Sequence, residues 1–583
     1  MLQIDETTYM EQDPVADYVV SLWNRDNSDK SAWLNDVAEV RNYITANSTH
    51  DTINSTNGWK NNTTIPKITH LYTGLVSVYM AALFPNDEWF RFEASDKQSQ
   101  DKAFMIESYM RTKLRMSQFT QEFKKVISDW VLYGTCFAGI EWVKEYTTSK
   151  TTGERIINYV GPKLFRISPL DATINPRLPS FDESPFIRRR FVSLGNVLNH
   201  NKKRSGITYD ETKLAELATN RSSPSKDWVD YYKDRGIEVD GFNTYTTYLQ
   251  SGQVEILEYW GDVLVTQKDG TTEVLENQVV IIADRMYVLN MRDNPAWDGK
   301  KPFGYCPWGI VPDNLYGQSA LTNLIGMQYR CDHLENMKAD VLDLVVHPIV
   351  NIFGDPMEEF EWGPGKQNFF GVESRVEIQA PPTNALLCDS QIALYHSLME
   401  EIVGYPKEAS GMRTPGEKTA FEVSMLQGNA DRIFQDKLFQ MEGMLERILN
   451  TMFEMLVRNM DVTDVARTFD DNKNSLILLD ITKEDVVADG VFRPVGAKHY
   501  ALRNRKVQEL QNVLMLSQDP KLAPHISGYN LAESIMNELG YEADQIVAPN
   551  IGTREAFQTQ MVMNQMTQEV QGEAGPPQAI PEE

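Results

Sequence analysis

Residues 317–355 read GQSALTNLIGMQYRCDHLENMKADVLDLVVHPIVNIFGD, and the change of period inside this stretch decides the fold. Leu321, Leu324, Ile325, Cys331, Leu334, Val341, Leu342 and Val345 recur at helical spacing, with Gln328 the polar exception, so the pattern predicts a helix over Gln318–Val346. His347-Pro348 ends it, because proline lacks the backbone donor and pushes the preceding residue out of the helical region. The chain then turns β-rich: HPIVNIFGD, a turn at EWGPGKQN (361–368), and FFGVESRVEIQAPP (369–382). A second helix is expected over Gln391–Val403, broken by Gly404-Tyr405-Pro406. The reading is a small β unit held between an outgoing and a returning helix.

Immediately beyond lies SGMRTPGEKTAFEV (410–423), a near miss to a nucleotide loop. Gly411, Gly416, Lys418 and Thr419 match G-x-x-x-x-G-K-[ST] except that Glu417 intrudes before the lysine. A phosphate-cradling loop follows a strand, whereas this one follows a helix. Thr414-Pro415-Gly416-Glu417 instead fits a capping box: threonine at the N-cap, proline at the first helical position, and a glutamate reaching back to the cap N–H. From Lys418 to Arg458 there is no proline, and Phe434, Leu438, Met441, Leu445, Ile448, Met452 and Met455 form one stripe. At the helical rise such a segment spans roughly 60 Å.

Upstream, Val15, Val19, Leu22, Trp23, Trp33, Val37, Val40 and Tyr43 predict an N-terminal helical arm, followed by a Ser/Thr/Asn-rich loop that completes residues 1–65. A helix from about 67 stops at Pro85, and residues 104–134 read as a helical pair. From 137 to 292 the period is two, which predicts antiparallel β with a helical insert near 210–235. After the long helix, 461–495 read as returning strands, 496–560 as helices and 561–583 as a Pro/Gly/Glu-rich tail. The fold class is α+β.

The 583 residues carry 56 Lys+Arg against 82 Asp+Glu, a formal charge of −26, which argues against a surface that grips nucleic acid through its phosphates. Cys136, Cys306, Cys331 and Cys388 form no C-x-x-C pair, and the eight histidines form no H-E-x-x-H. The N-terminus lacks the basic and apolar regions of a secretory signal, and no apolar stretch of membrane length occurs. No G-x-S-x-G elbow appears, and Ser319 reads as a cap rather than a nucleophile. The clusters Asp182-Glu183, Glu358-Glu359-Glu361 and Asp470-Asp471 sit among turn residues and read as solvated loops rather than metal ligands. The basic run Arg188–Arg190 fits a strand as well as it fits a nucleic-acid patch. Neither an enzyme nor a metal or cofactor is expected.

The succession of an α/β region, the outgoing helix with G-Q-S-A-L, a small β unit, a returning helix, R-T-P-G-E-K-T-A-F-E-V and a very long helix resembles the portal, or head-to-tail connector, proteins of tailed bacteriophages, especially the short-tailed ones. The resemblance covers about 66–530. It implies an elongated subunit in a ring, usually a dodecamer, at one capsid vertex of the virion, assembled in the host cytoplasm. The ring would surround a channel for double-stranded DNA during packaging and ejection. It would also meet the terminase large subunit, tail adaptor proteins and the major capsid and scaffolding proteins, with no membrane involved.

Carried over by position, 66–312 would be the wing, 313–346 and 388–405 the two stem helices, and 347–387 the clip. Residues 406–417 would be the tunnel loop, 418–460 the long wing helix, 461–495 wing strands and 496–560 a helical crown. Lys407, Arg413, Thr414 and Lys418 would then line the DNA channel, and Glu358, Glu359, Glu361 and Lys366 would form the docking face of the clip. Asp332, Glu335, Asn336, Asp340 and Asp343 would make one side of the stem a wetted wall. Two other readings compete: a P-loop nucleotidase or metal-dependent nuclease, and a tail or collar adaptor ring protein.

Overall fold

The computed structural model describes residues 13–44, 64–85, 89–148, 153, 155–201, 207–219, 231–235, 252–266, 272–354, 361, 366–369, 371–379, 387–405, 420–460, 463–470 and 475–495. The chain divides into two compact units, Met1–Pro494 and Val495–Glu583. The first is a mixed α/β body in which every described sheet is antiparallel.

The N-terminal helices α1 (Pro14–Asp29) and α2 (Ser31–Ile44) begin with a side-chain cap: Asp13 accepts from the Val15 N–H at 3.0 Å, with Pro14 in the first turn. They are not a free-standing arm. Val15, Val19, Leu22 and Trp23 are buried against Ile187, Leu257, Tyr259, Val280 and Ile282 of the main sheet. Lys30, buried at the junction, donates its ammonium to the carbonyls of Pro169 (3.2 Å) and Ala172 (2.9 Å).

Helix α3 (Lys67–Leu83) ends before Pro85 and packs beside α5 (Phe119–Tyr133). Between them come β1 (Phe90–Ala94) and α4 (Lys97–Met116), the latter joined to α5 through Gln118 at φ 56°. A three-stranded sheet has the order β3-β2-β9, from β2 (Thr135–Thr148), β3 (Arg155–Ile167) and β9 (Phe303–Pro307). The five-stranded sheet runs β4-β5-β6-β7-β8: Ala172–Ile174, Phe186–Ser193, Gln253–Thr266, Thr272–Ala283 and Tyr287–Asp293. The insert within it supplies α6 (Leu194–Leu198) and α7 (Glu211–Thr219), whose Val197, Leu214 and Leu217 cover one sheet face.

The short hairpin β10 (Gly309–Val311) and β11 (Asn314–Gln318) leads to α8 (Ile325–Val346). This helix starts seven residues later than its apolar spacing predicts, because 317–321 is fastened to the body in a non-helical path. The Gly317 N–H donates to Thr135 Oγ1 at 2.8 Å; Ser319 Oγ donates to the Val131 carbonyl at 3.0 Å and accepts from the Leu321 N–H at 3.1 Å. Ser319 is therefore a cap, but of the turn before a 3-10 segment at Thr322–Leu324. Gly134, at φ 72°, allows this approach: a Cβ there would lie 2.3 Å from the Ser319 nitrogen.

After α8 come β12 (Ile349–Phe353) and β13 (Arg375–Gln379), paired from Ile349↔Gln379 to Phe353↔Arg375. Helix α9 (Asp389–Val403) returns the chain and ends on Gly404 in the left-handed region, φ 69°. The long helix α10 spans Ala420–Asn459, and Leu438, Met441, Leu445, Ile448, Met452 and Met455 of its stripe are all buried. Beyond it, β14 (Thr463–Asp470) pairs with β15 (Ser475–Thr482). The one-turn α11 (Lys483–Val486) carries a capping box from Thr482 and Asp485. Finally β16 (Gly490–Pro494) pairs with β1, Phe92 opposite Phe492, so the last strand of the body closes on one of its first.

Candidate functional site

The α8–β12–β13–α9 excursion shows a gradient of burial along its length. Near the body, Ile325, Cys331 and Leu334 of α8 and Met399, Val403 and Tyr405 at the end of α9 are buried. Lys67 at the start of α3 pairs with Glu400 at 2.5 Å, with side chains only 11% and 12% exposed, and Tyr405 packs over Gly74. Toward the sheet the pattern inverts. Leu342, Val345 and Val346 on α8, Ile349 and Phe353 on β12, and Ile378 on β13 are exposed apolar side chains. Lys338 and Asp389 join the two helices at 2.6 Å.

The polar side of α8 departs from expectation. Glu335 is half-buried and Asp343 exposed, but Asp332, Asn336 and Asp340 are buried, not part of a wetted wall. Asp332 accepts from the Ile65 N–H at 3.2 Å and from Gln328 Nε2 at 2.8 Å, so a backbone group far away in sequence takes the place of water. Burial pushes its carboxyl up to about 6, against the partial offset of those two hydrogen bonds.

Of the residues assigned to a docking face, Glu361 and Lys366 are both exposed and pair with each other at 2.5 Å. Asn368 holds Glu361, accepting from its N–H and donating to its carbonyl, each at 2.8 Å. Glu358 and Glu359 lie outside the described residues, as do Lys407, Arg413, Thr414 and Lys418 with the whole of the proposed tunnel loop and capping box. The 496–583 segment, read as crown and tail, lies outside them too.

Two residues of the basic run at 188–190, Arg188 and Arg189, are buried, and Arg190 is half-buried, so the run does not form an exposed basic patch. Arg188 bonds Glu141 at 2.6 Å and Glu258 at 2.8 Å, while Arg189 reaches Asp171 at 3.1 Å. Burial raises the Glu258 carboxyl, but Arg188, Arg190 and the Trp260 N–H outweigh it, so the net shift is downward and the carboxylate is ionised. Asp182, from one acidic pair, is held by Arg447 through two hydrogen bonds, the longer 3.0 Å. No group of His, Cys, Asp and Glu among the described residues is placed to hold a metal ion, and the four cysteines are free. No described helix is long and apolar enough to cross a membrane.

No signal in the sequence marked Lys67–Glu400 or the Ile65–Asp332 contact, since each joins segments hundreds of positions apart. No family model matches this chain, and no curated protein matches it in sequence.

Proposed function

We propose that this chain is a bacteriophage portal subunit, assembling into a closed ring around a channel for double-stranded DNA and acting through passage and docking rather than catalysis. The observation that supports this reading best is the apolar surface left open by Leu342, Val345, Val346, Ile349, Phe353 and Ile378 on the two-helix excursion. These side chains are exposed in the single chain, whereas a ring of identical copies would cover them with the neighbour through a heterologous interface that closes by rotation. In this reading α8 and α9 are the stem, β12 and β13 the clip, and α10 the long wing helix.

The charge balance agrees with passage. Each lysine or arginine that pairs with a phosphate adds affinity and therefore friction, so an acidic wall carrying a few basic belts lets a duplex slide. Ring symmetry would repeat Lys407, Arg413 and Lys418 into such belts beside the loop capped by Thr414. The clip, with Glu358, Glu359, Glu361 and Lys366, would meet the terminase large subunit and later the tail adaptors. Removal of 358–367 is expected to leave ring assembly intact and abolish terminase-driven DNA packaging in vitro. Normal packaging by rings lacking this segment would refute the docking role.

A further inference from the structure

A cleft of about 1310 Å³ opens between the three-stranded sheet, the five-stranded sheet and the C-terminal end of α10. Its charges are out of balance with the rest of the chain. Lys144, Arg188, Arg190, Arg292 and Arg458 line it against Glu141, Glu258 and Glu454, five positive to three negative, in a chain of net charge −26. Most of these are mutually engaged: Arg188 and Arg190 with Glu141 and Glu258, and Arg458 with Glu454 at 3.2 Å. Two are not, among the described residues: Lys144, an exposed side chain, and the half-buried Arg292 on β8. Among the described residues the Arg292 guanidinium makes no hydrogen bond or ion pair, and its Nε is buried without a partner. Half-buried, with only its Nε shut off from solvent, this cation has no carboxylate in contact with it, and a carboxylate supplies the bidentate partner its planar fork is shaped for.

We infer that this cleft is a docking site for an acidic polypeptide segment of a second copy of the chain, with Arg292 receiving one of its carboxylates. The cleft is larger than a phosphate ion or a single nucleotide needs, and Trp142, Phe165 and Pro302 give it apolar walls suited to a peptide. Glu141 and Glu454 flank it, so a phosphodiester strand with a charge at every repeat meets repulsion, whereas a peptide with spaced carboxylates does not. The chain's 82 Asp and Glu residues supply such segments, and the ring proposed above, on which the choice of a second copy rests, brings neighbours side by side. Burial lowers the proton affinity of Arg292, Glu258 opposes that and Arg458 reinforces it, so an incoming carboxylate improves its electrostatic setting.

The test uses the full chain carrying Tyr146→p-benzoylphenylalanine, since Tyr146 is exposed on the cleft wall. Unlabelled and isotope-labelled copies are mixed, assembled, sized by native mass spectrometry and irradiated. The expected result is intermolecular cross-linking to an Asp- or Glu-bearing peptide, reduced about tenfold by Arg292→Glu and by less than that by Arg292→Lys, which keeps the charge but not the fork, with thermal unfolding confirming that each variant is folded. Cross-links confined to one chain or reaching co-purified nucleic acid, or an intermolecular yield insensitive to Arg292→Glu, would overturn the inference. Rings without intermolecular cross-links would sink this inference alone; a chain that stays monomeric under assembly conditions would sink the ring reading with it.

Discussion

Asp332 lies on the buried side of α8 with its carboxylate held by one backbone N–H and one amide. Its pKa of about 6 stands above the ordinary 3.8, because removing a charge from water costs more than those two bonds return. A carboxyl whose folded pKa is raised binds its proton more tightly in the folded state, so its contribution is most favourable below about pH 4 and is lost as pH rises through 6. The difference is worth at most about 3 kcal/mol. Asp332→Asn keeps an acceptor for both donors and removes the charge. It is expected to raise stability at pH 7.5 by about 1–2 kcal/mol and to flatten the loss between pH 4 and 6, measured by urea unfolding across that range. An unchanged pH profile would contradict this account of the site. Such residues also mark where sequence reading stops. The stripe on α10 was legible from spacing alone, since Leu438, Met441 and Leu445 repeat every three or four positions and are buried. The burial of Asp332 was not, because its polarity says nothing of the Ile65 N–H contributed from elsewhere in the chain.

At the scale of elements, the helix–β–helix excursion was readable because each change of period is punctuated: Pro348 before β12, Gly404 after α9. The start of α8 was misplaced because apolar spacing continues through Leu321 and Leu324 while Thr135 and Val131 hold 317–321 against the body. β1 went unread for a related reason: five residues, FRFEA, become a strand only when Gly490–Pro494 returns to pair with them. The far end of the excursion carries a prediction of its own. Leu342 and Val346 are 45% and 63% exposed, so Leu342→Ser with Val346→Glu is expected to change the unfolding free energy of the single chain by less than about 0.5 kcal/mol. If these side chains meet a neighbouring copy, the same pair of substitutions weakens self-association by at least about tenfold in sedimentation velocity. Assembly indistinguishable from the unsubstituted protein would remove this face from the interface.

For the molecule as a whole, the order of helical and β segments identified an α+β body, while the functional assignment rests on the resemblance in that order together with an apolar surface that one copy leaves open. The candidate channel residues, Lys407, Arg413, Thr414 and Lys418, come from the resemblance alone and lie outside the described residues. Spacing in one chain does not reveal which side chains face an axis that exists only when copies assemble. The most direct measurement is therefore the mass and image of the purified full-length chain under assembly conditions, by native mass spectrometry and negative-stain microscopy. The account predicts closed rings of a fixed number of copies, usually a dodecamer in this class, each with an open centre wide enough for a DNA duplex. A compact monomer at every concentration, or an oligomer with no central opening, would contradict it.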